Sequence, residues 1–87
     1  MTPIDLMRQR LASLDPITLD IRDQSDLHAG HAGAQGGGGH FQMTIVSPQF
    51  SGRRTMDRHR MVYDALGSLM QREIHALSIT AKTPDEL

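Results

Sequence analysis

The sequence predicts a single α+β domain, because two kinds of hydrophobic spacing follow one another along its 87 residues. Apolar residues recur at helical spacing in two segments, and they alternate with polar residues in three others, as in half-buried strands. A chain of this length has room for one domain, so residues 1–87 are assigned to it. The predicted order of elements is αββααβ, followed by a helical stub.

The first helix is predicted to begin at Pro3. Thr2 suits the capping position, proline suits the first helical position, and Asp5 follows three residues after the cap. The helix should end at Asp15, because the residue before a proline disfavours helical backbone. Its apolar face carries Ile4, Met7, Leu11 and Leu14.

Alternation predicts three strands. The first covers Ile17–Asp23 and the second covers His40–Val46, and these two should pair as a hairpin. Between them lies a loop, Gln24–Gly39, in which six of sixteen residues are glycine. Ordering so many glycines is entropically costly, so we expect this loop to be mobile in the isolated protein and to order on binding a partner or metal. The apolar positions of the three strands are Ile17, Leu19, Ile21, Phe41, Met43, Ile45, Leu77 and Ile79.

Helical segments are predicted between the second and third strands. A short turn over 48–51 follows Ser47, and a longer helix begins near Thr55. Its apolar stripe continues past Gly67, which costs about 1 kcal/mol relative to alanine, so either another part of the chain packs closely there or the helix is weak. Thr83 should open the final helical turn. The predicted core comprises Leu11, Leu19, Ile21, Ile45, Leu66, Leu69 and Leu77.

Composition excludes several functional classes. Without cysteine the chain has no disulfide, no thiol nucleophile and no thiolate metal site of its own. Three aromatic residues are too few for a protein that binds single-stranded nucleic acid by stacking its bases on aromatic side chains. A net charge of −1 excludes a globally basic nucleic-acid binder. No apolar run has the length of a membrane span, so we expect no membrane partner and a cytoplasmic location. No catalytic arrangement is visible, so an enzyme is not expected.

Three runs of residues resemble the BolA family: HFQMTIVSPQFSG at 40–52, DRHRMVYDAL at 57–66 and EIHALSITAKTPDEL at 73–87. The resemblance implies an αββααβ fold similar to the class II KH domain, with helices packed on one face of a three-stranded mixed sheet. It also implies a monothiol glutaredoxin partner, with which family members share a [2Fe-2S] cluster. Some members are described as transcription regulators that act on DNA.

The resemblance makes His75 the first candidate metal ligand. By alternation with Leu77 it should lie on the core side at the edge of the sheet, where a hydrogen-bonded histidine is the commoner role. A second ligand is implied in the long loop, at His28 or His31. Counting forward from Ser25 selects His28 and counting back from the second strand selects His31, which we slightly prefer. Both could equally be exposed polar residues.

The other histidines and the arginine cluster have weaker signals. His40 should point away from the core, as a surface histidine or one within reach of a metal held by the loop. Four arginines fall within eight positions, a pattern that fits a solvated helix face, a partner surface or phosphate binding. The candidate nucleic-acid or partner-binding residues are Arg53, Arg54, Arg58, His59 and Arg60.

Three functions are therefore open. The first is an adaptor that shares a [2Fe-2S] cluster with a monothiol glutaredoxin and glutathione, using His75 with His31 or His28, and holding no cofactor tightly when alone. The second is a nucleic-acid-binding regulator that uses the arginine cluster. The third is a histidine site for zinc or copper without any partner.

Overall fold

A computed structural model describes residues 2–24 and 39–87. Helices α1 (Pro3–Leu11), α2 (Thr55–Leu66) and α3 (Leu69–Arg72) accompany strands β1 (Thr18–Asp23), β2 (Gly39–Val46) and β3 (Ile74–Lys82). Short 3₁₀ turns cover Ala12–Leu14, Pro48–Phe50 and Pro84–Glu86. The predicted 24–39 loop lies almost entirely outside the described residues. No helix within the described ranges is long and apolar enough to cross a membrane.

Helix α1 begins as the sequence predicts. The Thr2 hydroxyl accepts a hydrogen bond from the Asp5 backbone N–H at 3.1 Å, and the Asp5 carboxylate accepts one from the Thr2 N–H at 3.2 Å. The hydrogen bond that the carboxylate accepts from the Thr2 N–H, followed by one from the Thr2 side chain, lowers the pKa of Asp5. The last predicted turn tightens to a 3₁₀ turn, and Asp15 then adopts a left-handed backbone with φ 49°. The capped start is confirmed, and the helix proper ends four residues before Asp15.

The sheet is mixed and has the order β1-β2-β3. Strand β1 runs antiparallel to β2, which confirms the hairpin pairing, and β2 runs parallel to β3. The helices cover one face, and the opposite face carries mainly polar side chains. This arrangement confirms the predicted fold class. The hydrophobic core between the helices and the covered face consists of Met7, Leu11, Leu14, Ile21, Phe41, Met43, Ile45, Phe50, Val62, Leu66, Leu69 and Ile74.

The predicted core is largely confirmed, with one error at the start of β1. Leu19 and Leu77 are half-buried and pack against the core instead of lying within it. The prediction that Ile17 lies on the core side is wrong, because this residue precedes the strand and is 64% exposed. Its backbone N–H still bonds the Val46 carbonyl at 2.7 Å. The remaining predicted members Leu11, Ile21, Ile45, Leu66 and Leu69 are buried.

The predicted longer helix is interrupted at Gly67. This residue caps α2 with φ 57°, and its N–H donates to the Tyr63 carbonyl at 2.9 Å. Residues with a side chain rarely adopt positive φ, so a glycine is favoured at this helix end. A Cβ here would meet the end of the Arg10 side chain at 3.5 Å and the Asp64 carbonyl oxygen at 3.9 Å, both ordinary contact distances. The prediction of one continuous helix is therefore wrong, because α2 ends before Gly67 and α3 forms separately. The interruption agrees with the alternative expectation that the helix is weak at this glycine.

Candidate functional site

The starts of β2 and β3 lie side by side, because these strands are parallel. Gly39 pairs with Ile74, and its N–H donates to the Glu73 carbonyl at 3.0 Å. The next pair in register is His40 with Ala76, so one residue of β3, His75, has no counterpart on β2. This irregularity is a β-bulge, a feature that re-aims side chains at the rims of sheets.

The bulge decides which way His75 faces. Ile74 is 5% exposed and belongs to the core, whereas His75 and Ala76 are both exposed. Alternation resumes beyond them, with Leu77 half-buried. The prediction that His75 lies on the core side is wrong, because the extra residue reverses the parity counted back from Leu77.

The structure brings His75 together with His40. Their ring centroids are 5.0 Å apart, and the ring planes are inclined at 39°. His40 is half-buried, and its carbonyl accepts the Gln24 N–H at 2.7 Å. The sequence correctly placed His40 away from the core. It did not reveal the pair, because neither the parallel register nor the bulge is visible in a single sequence.

Beyond the two histidines, the face of the sheet that the helices leave uncovered carries polar side chains. The Gln24 side-chain amide donates to the Gln42 amide oxygen at 2.9 Å, and Arg22 forms an ion pair with Asp20 at 3.2 Å. Asp20, Arg22, Gln42 and Thr44 line a shallow open depression on this face. The two rings therefore lie at one end of a hydrophilic surface.

His28 and His31 fall outside the described residues, so their predicted role as second ligand stays a prediction. Across residues 2–24 and 39–87, no group of three or more histidine or carboxylate side chains is placed to hold a metal ion. His75 and His40 are thus the potential metal-binding side chains that the described part of the chain brings together.

Arg58 differs from the rest of the arginine cluster. Its guanidinium donates to both carboxylate oxygens of Glu86, at 2.6 and 3.1 Å, and to the carbonyls of Ala81 at 3.1 Å and Arg53 at 2.9 Å. Glu86 also accepts the Thr83 N–H at 2.7 Å. The Arg58 hydrogen bond holds the pKa of Glu86 down at about 2. The Arg58 side chain is only 11% exposed and fastens the C-terminal turn to α2.

The other members of the cluster are more accessible. Arg53, Arg54 and Arg60 are exposed, and His59 is half-buried. Arg58 reaches the carbonyl of Ala81, which lies six residues, or roughly 20 Å, along β3 from His75. The histidine pair and the arginine cluster are therefore two separate surfaces.

Comparisons of the sequence and of the structure with known proteins both find relatives in one family. The family model described as "BolA-like protein" matches residues 11–86. "Protein BOLA1, chloroplastic" of Arabidopsis thaliana is 45% identical over 84 residues, which cover 92% of this chain and 52% of that protein. "DNA-binding transcriptional regulator BolA" of Escherichia coli is 33% identical over 86 residues, covering 93% of this chain and 79% of the relative.

The solved structure of BolA1 from Arabidopsis thaliana superposes with a TM-score of 0.83 at 38% identity, covering 100% of this chain and 98% of the other. Several curated relatives are longer, and the chain spans between about a quarter and about half of their length. Since plant relatives carry organellar names, the cytoplasmic location stays a prediction. The motifs, the mixed sheet and these matches lead to one conclusion: the chain belongs to the BolA-like protein family.

Proposed function

We propose that this BolA-like chain is an adaptor that binds a monothiol glutaredoxin and holds a [2Fe-2S] cluster jointly with it and with glutathione. The observation that carries the proposal is the position of His75. The ring is exposed, yet its backbone belongs to a strand hydrogen-bonded to β2. His75 is the bulged residue, but the register pairs on either side of it, Gly39 with Ile74 and His40 with Ala76, hold its backbone more accurately than a loop would.

The side chains fit such a cluster by their chemistry. Imidazole is a suitable ligand for iron, and histidine replaces cysteine at one iron of Rieske-type clusters, which raises the reduction potential. Because this chain has no cysteine, the sulfur ligands would come from the glutaredoxin and glutathione. The chain would contribute His75 and, as second ligand, His31 or His28. The cluster supplies one-electron chemistry or is itself the cargo, and no catalytic step is assigned to this chain.

A spectroscopic mixing experiment tests the proposal. The isolated chain is added to a cluster-loaded monothiol glutaredoxin, and visible absorption and circular dichroism are recorded. We expect a spectral change that His75→Ala abolishes, while His31→Ala or His28→Ala only weakens it because one of these residues can replace the other. His59→Ala, on α2, is the comparison for a histidine that is a candidate partner contact and not a candidate ligand, so at saturating glutaredoxin it should show the full spectral change. An unchanged spectrum with His75→Ala would refute the proposed ligand.

A second candidate function, binding to DNA, is favoured by two observations. The Escherichia coli relative is named as a DNA-binding regulator, and three arginines of the cluster are exposed here. Replacing Arg53, Arg54 and Arg60 by alanine should weaken DNA binding and reduce its salt dependence, by a slope of about one for each phosphate that is no longer neutralised. Arg58 is left in place because it bonds Glu86. No binding by the native chain at low salt would exclude this function.

A further inference from the structure

We propose that His40 and His75 together chelate a divalent transition-metal ion, Zn²⁺ in the first instance, in the isolated chain. The proposed site differs from the shared cluster in both its ligands and its requirements. It uses His40, which the cluster proposal does not need, and it requires neither glutaredoxin nor glutathione.

The separation of the two rings is the first argument. A histidine nitrogen lies about 2.0–2.1 Å from zinc, which places the ring centroid about 3.2 Å from the ion. Two such rings at the tetrahedral angle have centroids about 5.2 Å apart. The observed separation between His40 and His75 is 5.0 Å. The spacing of the two ring centroids is therefore compatible with one shared ion.

The inclination of the rings is the second argument. A metal ion lies in the plane of each imidazole that binds it, because the nitrogen lone pair lies in that plane. Two parallel, offset planes share no point, so stacked rings cannot both bind one ion in this way. The planes of His40 and His75 are inclined at 39° and intersect along a line. That line is where an ion can lie in the planes of both rings.

The backbone around the rings is the third argument, because it is fixed without a metal. The Gly39 N–H bonds the Glu73 carbonyl at 3.0 Å, and the Gln24 N–H bonds the His40 carbonyl at 2.7 Å. The parallel ladder resumes at the pairing of His40 with Ala76. Because these bonds hold both strands, binding an ion costs little further backbone ordering.

Two nitrogen ligands also indicate the class of ion. Imidazole suits zinc, copper and nickel, whereas magnesium and calcium prefer oxygen ligands. No third histidine or carboxylate joins the pair among the described residues, so water would complete the coordination. Such an open site would hold an exchangeable ion, in contrast to the closed sites with four protein ligands that hold structural zinc.

Calorimetric titration of the full chain with Zn²⁺ alone tests the site. We expect binding of one ion, with the affinity reduced at least about tenfold in both His40→Ala and His75→Ala, since losing even a residue that only orients a ligand typically costs about 10- to 100-fold. Thermal unfolding of each variant confirms that the domain is folded. Undiminished affinity in either variant, or no Zn²⁺ binding by the native chain, would overturn the proposal.

Matched variants separate this site from the other histidines. His59→Ala should bind Zn²⁺ as the native chain does, and so should the double variant His28→Ala/His31→Ala. If the double variant loses binding while His40→Ala retains it, the proposal is wrong. Because the titration contains no glutaredoxin and no cluster, its failure would leave the adaptor proposal standing, and failure of the cluster experiment would leave this site standing.

Discussion

The polar side chains at the two ends of the β2–β3 ladder differ: those at the carboxyl end are buried and bonded within the chain, and those at the amino end face outward. At the carboxyl end, the fully buried Ser47 hydroxyl donates to the Leu14 carbonyl at 2.5 Å and accepts the Gln49 N–H at 3.1 Å. The Ser47 N–H bonds the Lys82 carbonyl at 2.9 Å, and Thr83 is 5% exposed. At the amino end, a bulge turns the His75 ring outward beside His40.

The polar residues that stabilise the fold and the histidines that are available for binding therefore lie at opposite ends of the ladder. Polar groups at the carboxyl end are buried and bonded within the chain, so substitutions there should affect folding. The histidines at the amino end are exposed or half-buried, so substitutions there should affect binding and leave the domain folded. Substitutions at the two ends of the ladder test this contrast.

Among substitutions of polar residues, Ser47→Ala should have the largest effect. The substitution removes the donor to the Leu14 carbonyl and the acceptor that caps the Pro48–Phe50 turn. Leaving buried groups unsatisfied costs about 1–3 kcal/mol, so the free energy of unfolding should fall by that amount in urea titration. Ser51→Ala, at an exposed serine in the same connection, is the control and should stay within about 0.5 kcal/mol. Equal losses in the two variants would contradict the contrast between the ends.

Arg58→Met should destabilise the carboxyl end next most strongly. It removes both hydrogen bonds to Glu86 and those to the carbonyls of Arg53 and Ala81. The Arg58 side chain is only 11% exposed and its bonds to the two carbonyls are lost, so we expect a loss of about 1 kcal/mol, or about 4–8 °C in Tm for a domain of this size. Arg60→Met, at an exposed arginine of the same helix, should leave Tm nearly unchanged in calorimetry. A comparable fall in both variants would show that Arg58 has no special role.

Acidification should weaken the same contact by a smaller amount. The pKa of Glu86 is lowered from 4.5 to about 2, chiefly by the Arg58 hydrogen bond. A depressed carboxyl pKa contributes stability that is complete above the unfolded value and is lost as pH falls through the folded one. The native chain should therefore lose stability between pH 4.5 and about 2, and Glu86→Gln should lose less across that window. Urea midpoints measured across the window test this, and parallel slopes would contradict it.

Local sequence signals predicted most of the fold. The Thr2 cap and the alternation of β2 each depend on residues close in sequence, and both are present as predicted. The two errors also have local causes. Gly67 could either pack closely within a helix or end one, and only its backbone angle distinguishes the two. Ile17 continues an alternating pattern, but the strand begins one residue later.

The candidate site was less predictable, because it depends on contacts between distant residues. The sequence identified His75 but placed it on the wrong face, since Ile74-His75-Ala76 carries no glycine or proline to mark a bulge. The pairing with His40 requires the parallel register of two strands. In the same way, Arg58 resembled its neighbours in sequence, and only the fold brings it to Glu86, 28 residues later.

His75→Ala should have the smallest effect on stability, although it matters most for the proposed function. Its ring is exposed, so the free energy of unfolding should change by less than about 0.5 kcal/mol. The adjacent Ile74 provides a reference on the other side of the bulge. It is 5% exposed, so Ile74→Ala should cost about 2–5 kcal/mol.

Urea titration of both variants, beside the cluster spectrum of His75→Ala, distinguishes a ligand from a structural histidine. If His75 is a ligand, His75→Ala loses the spectral change and keeps the native stability, because the ring nitrogen binds a metal and supports no other part of the fold. A histidine whose main role is an internal hydrogen bond would instead lose about 1–3 kcal/mol on substitution. A loss of that size at His75 would contradict the contrast between the two ends of the ladder, because a polar side chain at the amino end would then also contribute to holding the domain together.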